Sequence, residues 1–175
     1  MIIGIDGGLG SGKTLLMTRY LYDDMQNGYE IRANYHLNFN HKQLDIKEML
    51  TKNPDLNNIA IGIDEMTVFV DCRQSMSKMN RLISYFILQS RKRNVNLYYT
   101  TQDFSMVDVR LIRHTHIQIS CFKVYYENGE EIENVRKFIV LDVRNPKNVK
   151  INTFYLDISK YYGLYDTNEI ILPPI

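Results

Sequence analysis

Eight consecutive residues near the start of the chain have the composition and spacing of a phosphate-binding loop. They fill the pattern G-x-x-x-x-G-K-[ST] and are Gly7, Gly8, Leu9, Gly10, Ser11, Gly12, Lys13 and Thr14. Glycines let the backbone curl so that successive N–H groups point at phosphate oxygens that a side chain would otherwise block. We expect Lys13 to reach the β- and γ-phosphates and the Thr14 hydroxyl to bind Mg²⁺. The alternative is a glycine-rich turn with a surface lysine.

Two acidic residues stand directly after an apolar run over residues 59–63. A carboxylate at the end of such a strand is typical of a magnesium-holding acid, which is the role we predict for Asp64. Glu65 would then point at the γ-phosphate, where it can orient or deprotonate the attacking water. Beside a complete phosphate loop, this pair favours hydrolysis over binding alone. The competing interpretation is that the two acids accept hydrogen bonds from loop amides.

Two further residues are candidates for the same chemistry. Gln102 follows a predicted strand and either bonds the water and the γ-phosphate or is a polar group of a turn. Arg91, with Lys92 and Arg93, either caps the carboxyl end of a helix or supplies a guanidinium to the γ-phosphate of a neighbouring subunit. Since the chain has no N-K-x-D segment to read guanine, ATP is the expected nucleotide.

The elements that must position these residues alternate between strands and helices. An apolar strand precedes the phosphate loop and an amphipathic helix follows it. The predicted strands cover residues 2–5, 29–33, 59–63, 95–101, 117–126, 135–143 and 151–156, and the predicted helices residues 13–26, 41–52 and 76–87. Such alternation predicts a mainly parallel sheet flanked by helices, with ligands at the carboxyl ends of the strands. Asn128-Gly129 predicts the turn of a β-hairpin that extends the sheet near the C-terminus.

Length and composition fit one globular domain over residues 1–175, with 45% hydrophobic and 23% charged residues. A net charge of +1 neither supports nor excludes DNA binding. Cys72 and Cys121 are isolated, and His114 and His116 lack acidic neighbours, so we predict no zinc site. No apolar run approaches the ~18 residues of a membrane span, and no signal peptide is evident. We therefore expect a soluble cytoplasmic protein.

The order of three segments resembles the HerA/FtsK superfamily of P-loop ATPases. The segments are the phosphate loop, the strand that ends in Asp64-Glu65, and residues 89–102, in which an arginine precedes a strand ending in Thr101-Gln102. Together with the small size, residues 31–37 look most like the compact viral members, namely genome-packaging ATPases and the Zot-like assembly ATPases of filamentous phages. The resemblance covers about residues 1–120.

This resemblance implies a RecA-like P-loop domain that hydrolyses ATP with Mg²⁺ and forms a homo-oligomeric ring, a hexamer or pentamer, around double-stranded DNA. It implies viral genome packaging, in the host cytoplasm and transiently at the virion, with a capsid or membrane vertex protein as a further partner. Zot-like proteins usually have a membrane-spanning segment, which favours packaging for this chain. A virion-assembly ATPase and a P-loop kinase of a nucleotide or metabolite are the alternatives.

Overall fold

A computed structural model of the chain describes residues 1–45, 57–69, 87 and 94–166. The strands are β1 (Ile2–Gly7), β2 (Glu30–Ala33), β3 (Lys42–Gln43), β4 (Ile59–Ile63), β5 (Val95–Thr100), β6 (Ile117–Tyr125), β7 (Glu131–Asp142) and β8 (Lys150–Asp157). The helices are α1 (Lys13–Gln26), α2 (Met66–Phe69) and α3 (Val109–His114), with 3-10 turns at Phe104–Met106 and Ser159–Leu164.

The eight strands form one sheet in the order β3-β2-β4-β5-β1-β6-β7-β8. The strands from β3 to β6 are parallel to one another, and β7 and β8 are added in antiparallel pairing. β1 lies between β5 and β6, with Ile3 in register with Tyr98 on one side and Ile117 on the other. The predicted fold class, a mainly parallel sheet flanked by helices with a C-terminal hairpin extension, is confirmed. The carboxyl ends of β1, β4 and β5 therefore lie at one edge.

Apolar side chains cover both faces of the parallel strands, as a buried parallel sheet requires. β4 is buried along its whole length, which explains its unbroken apolar sequence. Helix α1 packs on one face through Leu16, Met17 and Leu21 against Ile3 and Ile5. A second cluster on the opposite face includes Met66, Leu111 and the buried Ile87. Helix α1 is thereby fixed against the centre of the sheet, and the loop before it is fixed too.

The structure differs from the sequence prediction at residues 41–52, where a helix was expected. Lys42 and Gln43 instead form a short edge strand in parallel register with Arg32 and Ala33. The N–H of Leu44 then donates to the carbonyl of Ala33 at 2.7 Å. The exposed edge of β2 takes a partner here, and this pairing outweighs a modest helical pattern. Residues 46–52, and residues 76–86 of the next predicted helix, lie outside the described part.

The C-terminal extension is built as the Asn-Gly signal predicts. β6 and β7 are joined through residues 126–130, and Gly129 has a φ of 87°, a left-handed conformation that suits glycine. After β8, the chain turns back over the sheet as the 3-10 turn Ser159–Leu164 and reaches helix α1. We call residues 158–166 the C-terminal strap. This segment forms one wall of the site described next.

Candidate functional site

The predicted phosphate loop connects β1 directly to α1. Gly7, Gly10 and Gly12 have φ values of 144°, 69° and 94°, which L side chains rarely adopt. A Cβ atom on Gly7 would lie 2.5 Å from the carbonyl oxygen of Cys121, so this position also needs glycine for close packing. Helix α1 starts after Gly12 without a side-chain cap. Its first N–H groups thus point into the loop, as in anion sites at helix N-termini.

Lys13 lies inside the curve of this loop. Its side chain is buried, and Nζ donates to the carbonyl of Gly8 at 3.1 Å. The backbone N–H of Ser11 donates to the same carbonyl at 3.3 Å. A lysine ammonium and a backbone donor therefore converge at the centre of the loop, where a phosphate would receive both.

Thr14 and Asp64 meet at the base of the loop, although 50 residues separate them in the sequence. The Thr14 hydroxyl lies 3.0 Å from Oδ1 and 3.1 Å from Oδ2 of Asp64. The Thr100 hydroxyl donates to Oδ1 of Asp64 at 2.5 Å. Burial raises the pKa of Asp64, while the hydrogen bonds from Thr100 and Thr14 and the charge of Lys13 act in the opposite direction. The structure thus brings together the two residues predicted to hold Mg²⁺.

Asn34, at the end of β2, holds the backbone of Asp64 in place. Its Oδ1 accepts from the N–H of Asp64 at 2.7 Å, and its Nδ2 donates to the carbonyl of Asp64 at 3.0 Å. Both polar groups of the Asp64 backbone are thereby bound to one side chain. The sequence analysis assigned no site role to Asn34. Its position directly after a predicted strand was the available signal.

Glu65 has a left-handed backbone conformation, with a φ of 52°. Its N–H donates to the Thr100 hydroxyl at 2.9 Å, so Thr100 contacts both acids. A non-glycine residue in this conformation carries strain and persists where its surroundings hold it. The carboxyl group is half-buried. Burial raises its pKa, the nearby Asp64 charge raises it further, and Lys13 lowers it.

The other predicted site residues are less closely placed. Gln102 is exposed after the end of β5, while the preceding Thr100 and Thr101 are buried. Arg91 lies outside the described residues. The roles predicted for Gln102 and Arg91 therefore remain predictions.

A cavity of about 330 Å³ adjoins the phosphate loop, within the usual size range of ligand sites. One wall is formed by residues 10–15 and Asp64. The opposite wall, which the sequence analysis missed, consists of Tyr35, Arg136, Ile158, Tyr162, Tyr165 and Asp166. Phosphate-binding groups thus face an aromatic wall across one continuous space.

The strap that carries Tyr162 and Tyr165 is anchored at several points. The N–H of Ile158 donates to the carbonyl of Asn134 at 2.8 Å, and the N–H of Asn38 donates to the carbonyl of Leu164 at 2.8 Å. Between these points, the guanidinium of Arg19 lies over the ring of Tyr161, with Cζ 5.5 Å from the ring centroid. The strap is therefore a fixed part of the cavity.

Comparisons with known proteins give matches only among solved structures. No protein-family model and no curated protein matches the chain. The N-terminal domain of zonular occludens toxin from Neisseria meningitidis is similar with a TM-score of 0.67 and 20% identity, over 94% of this chain and 98% of that domain. The chain has the fold of a P-loop ATPase.

Two further solved structures agree with this fold. The genome packaging NTPase B204 from Sulfolobus turreted icosahedral virus 2, in complex with ATP-gammaS, has a TM-score of 0.59 and 14% identity, covering 86% of this chain and 96% of that one. The ATPase domain of a third protein has a TM-score of 0.65 and 12% identity, covering 95% of this chain and 84% of that one. The resemblance stated from the motifs is thereby confirmed at the level of the fold. Among the described residues, no helix combines the length and hydropathy needed to cross a bilayer.

Proposed function

We propose that this protein binds ATP with Mg²⁺ at the phosphate loop and hydrolyses its terminal phosphoanhydride bond. The observation that carries the proposal is the convergence of Thr14, Asp64 and Glu65 beside the loop, with Thr100 bonded to both acids. A loop that only bound a nucleotide would not need a second acid there. Neighbouring folds whose structures were obtained with ATP-gammaS and AMPPCP give further support.

The donor set fits Mg²⁺. This ion is held through one or two protein oxygens, together with phosphate oxygens and water. The hydroxyl of Thr14 and a carboxylate oxygen of Asp64, 3.0 Å apart, are oxygens of this kind. When bound, the ion neutralises part of the phosphate charge. The bonds that Asn34 makes to the Asp64 backbone would keep the carboxylate aimed at this position.

Each residue then has a defined part in hydrolysis. The N–H groups of the loop and Lys13 bind the β- and γ-phosphates and stabilise the negative charge of the transition state. Glu65 orients a water molecule in line with the γ-phosphate and takes its proton. The raised pKa of Glu65 suits a group that must accept this proton. Gln102 would bond the water and the γ-phosphate from the end of β5.

We propose further that hydrolysis drives movement of double-stranded DNA through a homo-oligomeric ring, as in viral genome packaging. The motif order of the superfamily and the similarity to a packaging NTPase support this. Arg91 of one subunit would reach the γ-phosphate bound by its neighbour. Because the net charge is +1, DNA contact must come from local patches rather than from the whole surface.

A virion-assembly ATPase of the Zot-like kind is the second candidate. Its support is the similarity to the zonular occludens toxin domain, which extends over 94% of this chain. Both candidates share the same nucleotide chemistry and differ in what is moved. Their common prediction is Mg²⁺-dependent turnover of ATP.

Phosphate release from purified protein tests both levels of the proposal. The wild type should release phosphate from ATP only with Mg²⁺, and Lys13→Ala should abolish tight ATP binding because the loop loses its cation. Undiminished ATP affinity in Lys13→Ala would contradict the site assignment. Duplex DNA should raise the rate of a packaging motor, and the stimulation should fade as salt increases. Turnover that neither duplex nor single-stranded DNA stimulates at low salt would favour the assembly ATPase.

A further inference from the structure

Two basic residues on the C-terminal hairpin lie against the phosphate loop. Arg136 and Lys123 are directly paired across β6 and β7. The Cε and Nζ atoms of Lys123 are 3.4 and 3.5 Å from the position of a Cβ on Gly10, and Cγ of Arg136 is 3.2 Å from that of a Cβ on Gly12. Neither residue belongs to a phosphate-binding sequence pattern. The antiparallel extension of the sheet brings both of them to the loop.

Arg136 is held in one orientation by its own surroundings. The residue is 7% exposed, and Nη1 donates to the carbonyls of Ile132, Glu133 and Val135 at 3.3, 2.9 and 2.9 Å. Its Nη2 lies 2.9 Å from Oε1 of Glu131. A buried guanidinium is stable only when its charge and its N–H groups are satisfied. The Nε donor is thereby directed at one target, the carbonyl oxygen of Gly10, at 3.3 Å.

This contact fixes the direction of a backbone donor of the loop. In a trans peptide, the carbonyl of Gly10 and the N–H of Ser11 point in opposite directions. Because Arg136 draws the Gly10 carbonyl outward, the Ser11 N–H is turned toward the interior, where it donates to the Gly8 carbonyl beside Lys13 Nζ. That interior is the place where a phosphate would lie. The arginine therefore acts on the phosphate site through the peptide plane.

Glu131 serves both cations. Its Oε2 accepts from Nζ of Lys123 at 2.8 Å, while Oε1 faces Arg136. One carboxylate between two cations leaves one excess positive charge beside the loop, which favours an anion there. The pairing also keeps Lys123 off the loop interior, which Lys13 already occupies.

We propose that Arg136 is a positioning residue of the phosphate loop, which turns the Gly10–Ser11 peptide into its phosphate-binding orientation while Glu131 balances the charges of Arg136 and Lys123. The ligand is the phosphate chain of a nucleoside triphosphate, so the inference rests on the proposed function. Inorganic tripolyphosphate contains that chain without a nucleoside and is the appropriate probe.

The test compares Arg136→Met, Arg136→Lys and Glu131→Gln with the wild type. The matched control is Arg144→Met, which breaks an exposed arginine–carboxylate pair with Asp142 just after β7. Arg136→Met should weaken ATP and tripolyphosphate by the same factor, about tenfold or more, because a bond to a charged donor is lost. Amide exchange of residues 8–14 in nucleotide-free protein should quicken in Arg136→Met, and less so in Glu131→Gln. Arg144→Met should change neither quantity.

The outcomes separate this inference from the proposed function. Wild-type affinity for both ligands in folded Arg136→Met overturns the inference, and so does unchanged loop exchange, even if ATP is hydrolysed normally. A wild type that binds neither ligand contradicts the proposed function, and loop exchange alone then decides the role of Arg136. If Arg136→Met does not fold, Arg136→Lys replaces it. Lysine keeps the charge but lacks the planar fork, so its affinities should be intermediate, and wild-type values in that variant would overturn the inference.

Discussion

Thr100 lies against Asp64, with its hydroxyl donating to Oδ1 at 2.5 Å while it accepts from the N–H of the next residue, Glu65, at 2.9 Å. A side chain at the end of β5 thus fixes the carboxylate and the backbone that follow β4. The strands are neighbours in the sheet, so this contact needs no loop movement. The positions of the two acids depend on the strand that pairs with them.

Thr100→Val should therefore slow hydrolysis more than it weakens nucleotide binding. Valine keeps the shape but removes both hydrogen bonds, so we expect kcat to fall about tenfold or more, with a loss of roughly 1 kcal/mol in the free energy of unfolding. Steady-state kinetics with a separate measurement of ATP affinity checks this. The matched control is Thr101→Val, also buried, whose hydroxyl donates to the Asp103 carbonyl away from the acids. Equal kcat values in the two variants would show that Thr100 does not position the acids.

Glu65→Gln should bind ATP normally and hydrolyse it slowly, because the amide keeps the size of the side chain but cannot take a proton. A loss of about 10²- to 10⁴-fold in kcat is the usual effect of removing a general base. Single-turnover phosphate release measures the chemical step. A rate like that of the wild type would assign the base to another residue.

Glu65→Gly separates activity from stability at the same position. Since the φ of Glu65 is 52°, glycine relieves backbone strain there. We expect the free energy of unfolding to stay level or to rise by up to about 1 kcal/mol while hydrolysis is lost. Thermal melts and phosphate release on the same sample provide the comparison. Marked destabilisation would mean that the carboxylate has a structural role.

Tyr162→Ala tests whether the strap binds the nucleoside. With the phosphates at the loop, the rest of the nucleotide extends along the cavity toward Ile158 and Tyr162. Stacking on an aromatic ring contributes about 1–3 kcal/mol per base, so ATP should bind roughly tenfold more weakly. Inorganic tripolyphosphate should bind as in the wild type. Tyr161→Ala is the control, because that ring packs on Arg19 outside the cavity lining, and equal ATP affinities in both variants would refute a nucleoside contact.

Asp6→Asn should stabilise the protein near neutral pH. Burial raises the pKa of Asp6, and its Oδ1 has no hydrogen-bond partner among the described residues. A raised folded-state pKa means that the ionised form costs stability above that pKa, and that this cost disappears as the pH falls through it. Because the side chain is about half-exposed, the gain should be small, roughly 0.5–1 kcal/mol. Denaturant titrations of both proteins at pH 7 and pH 4 should show the difference shrinking in acid, and a constant difference would point to packing instead.

The sequence was sufficient wherever short-range patterns determine structure. The phosphate loop, the strand before it and the helix after it follow from glycine spacing and apolar periodicity, which act within a few residues. The same holds for the apolar strand that ends at Asp64 and for the Asn128-Gly129 turn. Residues 42 and 43 went against the prediction because an edge strand took them as a partner.

Only the tertiary structure decided which distant side chains complete the site. Arg136 reaches Gly10 across 126 residues of sequence, and Thr100 reaches Asp64 across 36. Such contacts follow from strand order and register, with β4 beside β5 and the hairpin beside β1, and no local periodicity encodes them. The chain alone therefore predicts the residues that touch phosphate and metal. The side chains that hold those residues in place emerge only when the sheet is assembled, because pairing between strands, rather than spacing along the chain, sets the distances between them.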